Sequence, residues 1–178
     1  MRGIEAGTRG AVVSGRPELE AFCRDAHPKI VGLLTLFSGD ADLGSELAQE
    51  TMIRVIQNWR KVHAMASPMA WTRRVALNLA NSWFRRRLAQ RRAERRLGSL
   101  HEVDAPADAA DAVGVRRAIA QLPPRQRAAI VLRFFADLPT DEIASIMRCR
   151  PGTIWALTNQ GLVSLRRLGL TDVEDGDG

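Results

Sequence analysis

Residues 71–96 hold nine arginines against a single glutamate, Glu94, a local balance of +8 in a chain whose formal net charge is +6. Within this stretch Arg74, Asn78, Asn81 and Arg85 recur at offsets of 4, 7 and 11. On a helix that spacing gathers them within about 60° on one face. Guanidinium groups fork onto phosphate and carboxamides can meet a base edge, so the face has the chemistry of a nucleic-acid binder. Trp71, at the start of the same stretch, is able to stack on an unpaired base. A plainer reading stands beside this one: Trp71 and Trp83 as core residues, and the arginines as a solvated face.

A second set lies near the C-terminus. "LPTDEIASIMRCRPGTIWALTNQGLVSL" has the helix, tight turn, helix arrangement of a DNA reader, with Asp141 and Glu142 in a first turn where the helix dipole favours acids. On the second helix Ile154, Leu157, Gly161, Leu165 and Leu168 form one stripe expected to pack inward. Trp155, Ala156, Asn159, Gln160 and Val163 then point outward, and no charge occurs between Arg150 and Arg166. Such a surface suits base readout without phosphate clamping, because Asn and Gln pair with adenine while Ala and Val meet a thymine methyl. Phosphate contacts fall to Arg148, Arg150, Arg166 and Arg167 at the ends, assisted by the helix N-terminus. Phosphate contacts dominate affinity, so a helix of this kind binds weakly by itself. The alternative leaves 151–168 as a packing helix.

The elements that must position these residues are helical. Apolar residues recur at helical spacing along most of the chain, no useful period-2 pattern appears and Tyr is absent, so the fold class is all-α. A first helical stretch covers 17–37, with His27-Pro28 as a candidate interruption because the residue before proline is biased away from helix. Ser38-Gly39-Asp40 ends it. A helix over 42–59 buries Leu47, Ala48, Thr51, Met52, Val55, Ile56 and Trp59, and its opposite face carries Glu46, Gln49, Glu50, Ile53 and Gln57. After a loop at 60–66, Ser67-Pro68 is an N-cap followed by proline at the first helical position, opening a long helix over 68–97. Helical periodicity returns over 113–122, after Pro123-Pro124 as far as Phe135, over 140–147, and again beyond the "RCRPG" turn.

With 178 residues and 46% hydrophobic content the chain can bury one ordinary domain or two small ones. The reading adopted is two small helical domains joined by a flexible acidic linker: a tail at 1–16, a domain at 17–97, a linker at 98–112, a domain at 113–170 and an acidic tail at 171–178. The linker reading rests on Glu102, Asp104, Asp108 and Asp111, with no Lys or Arg and a proline in mid-stretch. Basic charge concentrated on one helix points to an anionic partner, nucleic acid ahead of membrane. Cys23 and Cys149 form neither a disulfide framework nor a CxxC pair, and no run approaches the ~18 apolar residues of a membrane span, so a cytoplasmic location is expected without membrane insertion. His27, His63 and His101 lie in separate segments without metal-ligand spacing. No GxxxxGK[ST], GxSxG or post-strand GxGxxG occurs. Neither an enzyme, a metal nor a cofactor is expected.

Taken in order, these segments resemble the bacterial sigma factors of the extracytoplasmic-function group, in the sigma-70 superfamily, over roughly 17–170. "GDADLGSELAQETMIRVIQNW" is similar to the family's polymerase-clamp-binding helix, "SPMAWTRRVALNLANSWFRRR" to its promoter-melting and minus-10 helix, and "LPPRQRAAIVLRFFADLPTDEIASIMRCRPGT" to its minus-35 domain. The resemblance implies a sigma factor of bacterial cytoplasm that directs core RNA polymerase to promoters and helps to melt the minus-10 element. Glu46, Gln49, Glu50 and Ile53 would dock on the clamp helices of the β′ subunit, with the β subunit also in contact. The loop at 60–67, with Lys61 and His63, would hold a flipped base, while Trp71, Arg74, Asn78, Asn81, Arg85 and Arg86 line the single-stranded non-template DNA. Arg148, Arg150, Thr153, Trp155, Ala156, Asn159, Gln160, Arg166 and Arg167 would face duplex minus-35 DNA. The family implies an anti-sigma factor as a further partner, and a linker lying in the polymerase's RNA path.

One departure is plain. Where the family's reading helix continues with basic residues after Gly-Thr, this chain has Ile154-Trp155-Ala156-Leu157-Thr158-Asn159-Gln160. Two further readings stand beside the sigma factor: a free-standing helix-turn-helix regulator, which accounts for 139–167 but not for the helices at 42–59 and 68–97, and a sigma homologue whose altered last helix serves protein contact.

Overall fold

The computed structural model of the protein describes residues 16–96 and 112–170. The expected N-terminal tail, acidic linker and C-terminal tail lie almost wholly outside the described residues. Among the described residues every regular element is helical.

Helix α1 (Arg16–Ser38) buries Ala26, Ile30, Leu33, Leu34 and Phe37, one stripe at helical spacing. Pro28 lies inside it and does not interrupt it. The proline sits on the exposed face, and the buried stripe on both sides of it holds the helix together despite the missing N–H. Asp40 then caps α2 (Ala41–Val62): its Oδ1 accepts from the amides of Asp42 at 2.9 Å and Leu43 at 3.0 Å.

Helices α1 and α2 cross closely at Gly44, where an added Cβ would lie 2.5 Å from Thr35 Oγ1 and 2.7 Å from its backbone nitrogen. Only hydrogen fits there. Of the stripe expected on α2, Leu47, Ala48, Thr51, Met52 and Val55 are buried. Ile56 is 53% exposed, and Val62 is buried in the extra turn by which α2 outruns the expected end. The stripe follows the face set by Leu47, Thr51 and Val55, which leaves Ile56 one position too far round. Helix α3 (Pro68–Arg96) opens with Ser67 Oγ accepting from the Ala70 amide at 3.2 Å, and buries Ala70, Thr72, Ala76, Leu77, Leu79 and Ala80.

The C-terminal helices are α4 (Ala112–Gln121), α5 (Pro124–Ile130), α6 (Thr140–Met147) and α7 (Pro151–Arg167). The helix expected to continue to Phe135 widens over its last turn into a π-helix, Val131–Phe135, whose closing bond runs from the Ala136 amide to the Val131 carbonyl at 3.1 Å. In consequence Phe134 and Phe135 are left half exposed, the Phe135 ring lying against Gly32 of α1. Arg148 ends α6 in the left-handed region at φ 52°, turning the chain into α7. On α7 the inward positions are Ile154, Gly161, Leu162 and Leu165. Leu168, expected inward, is 45% exposed because the helix has ended, and Leu162 fills the core instead. Gly161 lets α7 approach α5, since a Cβ there would meet Ile130 Cγ1 at 2.7 Å.

The two groups of helices touch: α4 and the π turn lie on α1, and α6 lies on α3. Arg127, on α5, is buried at their junction. Its Nη1 donates to the Phe37 carbonyl at 2.9 Å, and Nη2 donates to the Leu122 carbonyl at 2.9 Å and to that of Ala120. Its guanidinium lies 5.0 Å and 5.2 Å from the ring centroids of Phe37 and Phe84. Burial pushes its pKa down to about 10, still well above neutrality, so the group remains a cation at pH 7.

Candidate nucleic-acid and partner-binding surfaces

On α3, Asn78, Arg85 and Arg86 are exposed, whereas Arg74 and Asn81 are half-buried. Arg74 Nη2 donates to the Ser145 carbonyl of α6 at 3.2 Å, and its Nε is shielded without a hydrogen-bond partner. Asn81 Oδ1 is likewise buried and unpartnered. These residues line a cleft of about 290 Å³ that Arg125, Ile146, Met147 and Arg148 close from the other side. Arg74, Arg125 and Arg148 are the charged groups of that cleft, and no carboxylate lines it. The C-terminal helices stand over part of this side of α3.

Trp71 is half-buried and packed against the core, as is Trp83, whose ring meets Phe84 edge-on at 5.0 Å. Lys61 and His63 are exposed at the end of α2 and just beyond it, with His63 leaning on Trp59 at 5.2 Å.

On α2, Glu46 and Gln49 are exposed, Ile53 is 48% exposed, and the half-buried Glu50 pairs one turn on with Arg54 at 3.1 Å. These four line a groove of about 550 Å³ with Asn78, Ser82, Trp83 and Arg86 of α3. Sequence spacing assigned the two helices separate faces. The fold joins them at one groove, acidic and apolar on one wall, basic and amide-bearing on the other.

On α7 the outward set is as expected: Trp155 is 62% exposed, Val163 44%, and Ala156, Asn159 and Gln160 are exposed. Thr153 is half-buried; Arg148, Arg150, Arg166 and Arg167 are exposed at the ends. Gln160 Oε1 accepts from Gln126 Nε2 of α5 at 3.3 Å, which fixes the outward-facing carboxamide. Arg133 and Phe134 join Trp155, Asn159, Val163 and Arg166 around a groove of about 470 Å³. Sequence reasoning missed Arg133 and Phe134. The signal was the adjacent pair Phe134-Phe135, which a single helix face cannot bury together.

Arg73 was also missed. It was grouped with the solvated arginines, yet its side chain is 13% exposed and its Nη1 meets Glu142 Oε1 of α6 at 3.1 Å. Burial pushes its pKa down, while the carboxylates of Glu142 and Asp25 pull it back up. Among the described residues no cluster of three or more His, Cys, Asp or Glu side chains can hold a metal ion, and Cys23 and Cys149 are free thiols. No helix of the described residues is long and apolar enough to cross a membrane.

Among the described residues an all-helical fold, with an arginine-rich helix beside an acidic-apolar groove and then a helix-turn-helix, has the build of a DNA-binding protein. Two family profiles match it: Sigma-70 region 2 over residues 22–92 and Sigma-70, region 4 over residues 113–165. The chain belongs to the sigma-70 family of RNA polymerase sigma factors, in its extracytoplasmic-function group. It is 24% identical to the RNA polymerase sigma-E factor of Streptomyces coelicolor over 149 residues, 84% of either chain. It is 29% identical to the RNA polymerase sigma-H factor of Pseudomonas aeruginosa over 141 residues, 71% of this chain and 72% of the other. The ECF RNA polymerase sigma factor EcfG of Rhodopseudomonas palustris is 28% identical over 151 residues, 83% of this chain and 82% of its own. In fold the chain is similar to the sigma factor RpoE from Bartonella quintana, solved in complex with the anti-sigma factor NepR. That match has a TM-score of 0.72 at 21% identity and covers 87% of this chain and 98% of the other.

Proposed function

We propose that the chain directs core RNA polymerase to promoters through three surfaces. A domain at 17–97 presents Glu46, Gln49, Glu50 and Ile53 to the basic clamp helices of the β′ subunit, and the α3 face of Arg74, Asn78, Asn81, Arg85 and Arg86 to the opened minus-10 strand. Lys61 and His63 border the place where a base leaves the stack. A domain at 113–170 places α7 in the minus-35 major groove, where Asn159 and Gln160 meet adenine edges and Trp155, Ala156 and Val163 meet thymine methyls. Arg148, Arg150, Arg166 and Arg167 take the phosphates and Thr153 stands at the entry. The acidic linker joins the two domains.

The observation that carries this reading is the groove shared by α2 and α3, where Glu46 and Glu50 face Asn78 and Arg86. One site thus brings a polymerase-facing wall within reach of a strand-facing one. A free-standing regulator has no use for it. Phosphodiester chemistry belongs to the polymerase and the chain adds no catalysis of its own. It works in the bacterial cytoplasm, and an anti-sigma factor is its natural antagonist because the surfaces it must show to polymerase and DNA are the ones a rival protein can mask. Abortive transcription with purified core polymerase on a promoter library tests the whole. Short RNA products that require the chain support the reading; duplex binding without polymerase dependence overturns it.

A further inference from the structure

We propose that Gln126 is a positioning residue for base choice: it holds the Gln160 carboxamide with its oxygen turned toward α5, so that Gln160 offers DNA only its amino group. The inference rests on the reading of α7 as a helix that enters duplex DNA, and it narrows that reading. Asn159 can meet an adenine edge with both atoms of its carboxamide, whereas Gln160 meets adenine at N7 alone. The geometry begins at Gly161. A Cβ there would stand 2.7 Å from Ile130 Cγ1 and 3.7 Å from Gln126 Cβ, so the bare backbone lets α5 lie directly against α7. Gln126, in the first turn of α5, thereby reaches the outward edge of α7, and its Nε2 donates to Gln160 Oε1 at 3.3 Å.

The burial of Gln126 fixes which way round the pair sits. Its Oε1 is buried without a partner. Turned over, Gln126 would bury an amino group with two unmet donors in place of one unmet acceptor, which costs more. Gln126 therefore points its donor at Gln160, and Gln160 answers with its acceptor. What faces outward is Gln160 Nε2, on an exposed residue. In the major groove guanine presents two acceptors, N7 and O6, adenine one acceptor beside a donor, thymine the acceptor O4, and cytosine a donor. A lone amino group fits guanine best and meets cytosine donor against donor. An untied glutamine carboxamide would choose adenine, pairing at both N6 and N7. The base opposite Gln160 is accordingly guanine. The tie is one hydrogen bond between neutral groups, so it biases base choice by about two- to tenfold.

Three full-length variants test this in transcription with core polymerase from a promoter library randomised across the minus-35 element. Gln126→Leu frees the carboxamide and is expected to move preference at one position from guanine to adenine by about two- to tenfold. Gln126→Glu replaces the donor by an acceptor, turns Gln160 over and moves preference to cytosine or adenine, whose amino groups meet the exposed oxygen. Gln126→Glu combined with Gln160→Ala keeps the added charge and matches Gln160→Ala alone in base preference. A position unmoved by both single variants, with transcripts still dependent on the chain, would overturn the tie and leave promoter recognition standing. A shift that persists in the double variant would overturn it too, because the new carboxylate would then be reading the base itself. A chain that yields no promoter-dependent product would overturn the reading of α7 and this inference with it.

Discussion

Replacement of Arg127 by methionine keeps an unbranched apolar stem at the junction of the helices and removes the charge and its three donor contacts. The guanidinium bonds the carbonyls of Phe37, Ala120 and Leu122. Hydrogen bonds from a charged donor contribute about 1.5–3 kcal/mol each, so three amount to about 6 kcal/mol. Against this stands the cost of burying the cation. Burial pushes its pKa down to about 10, and removal of the cation relieves that desolvation, which offsets about half of the sum. The net loss expected for Arg127→Met is about 3 kcal/mol, and at about 2–4 °C per kcal/mol for a chain of this size the melting temperature falls by about 10 °C. Because the cation persists well above neutrality, the loss is the same at pH 6 and pH 8. Differential scanning calorimetry and urea titration at both values measure it. A variant within about 0.5 kcal/mol of the parent would refute the reasoning, because the carbonyl cage would then merely offset its own desolvation, as buried ionic groups can.

Charge reversal of Glu46 and Glu50 to lysine is expected to abolish association with core polymerase in a pull-down while leaving the helical circular dichroism unchanged; retained association sinks the docking assignment. Asn159→Ala and Gln160→Ala shift base preference at the minus-35 element by about 1–3 kcal/mol at one position each, whereas Arg166→Ala weakens all sequences alike and lowers the salt slope by about one. Promoter-library transcription and salt-dependent binding separate the two classes, and an unchanged base preference dismisses the first. Gly44→Ala is expected to cost about 1–3 kcal/mol in urea unfolding, because its methyl meets Thr35 backbone and not a flexible side-chain end. A gain in stability, as helix propensity alone would give, contradicts the close crossing of α1 and α2.

Local features were legible before any coordinates. Ser67 caps the helix it was expected to open, because capping needs only a short side chain and the next few amides, and Asp40, read only as the end of the first helix, caps the second in the same way. The outward set on α7 was readable from a 3.6-residue period, and the neutral stretch between Arg150 and Arg166 from composition alone. Where periodicity left the edge of a stripe open, tertiary packing settled it: Ile56 and Leu168 are exposed, and Leu162 is buried. Pro28 stays helical because the stripe around it is buried against neighbouring helices, a benefit no local rule contains.

The sequence alone determined the helices, their order, and the chemical character of the faces on α2, α3 and α7, since each depends on residues a few positions apart. Tertiary structure alone decided that α2 and α3 share a groove and that the π turn leaves Phe134 exposed and lays the Phe135 ring against Gly32. It also decided that Arg73 and Arg127 are junction residues and that Arg74 lies beneath α6. The three arginine contacts join residues 69 to 90 positions apart, and such pairs form where whole helices bury surface against one another, a balance that no short window of sequence contains.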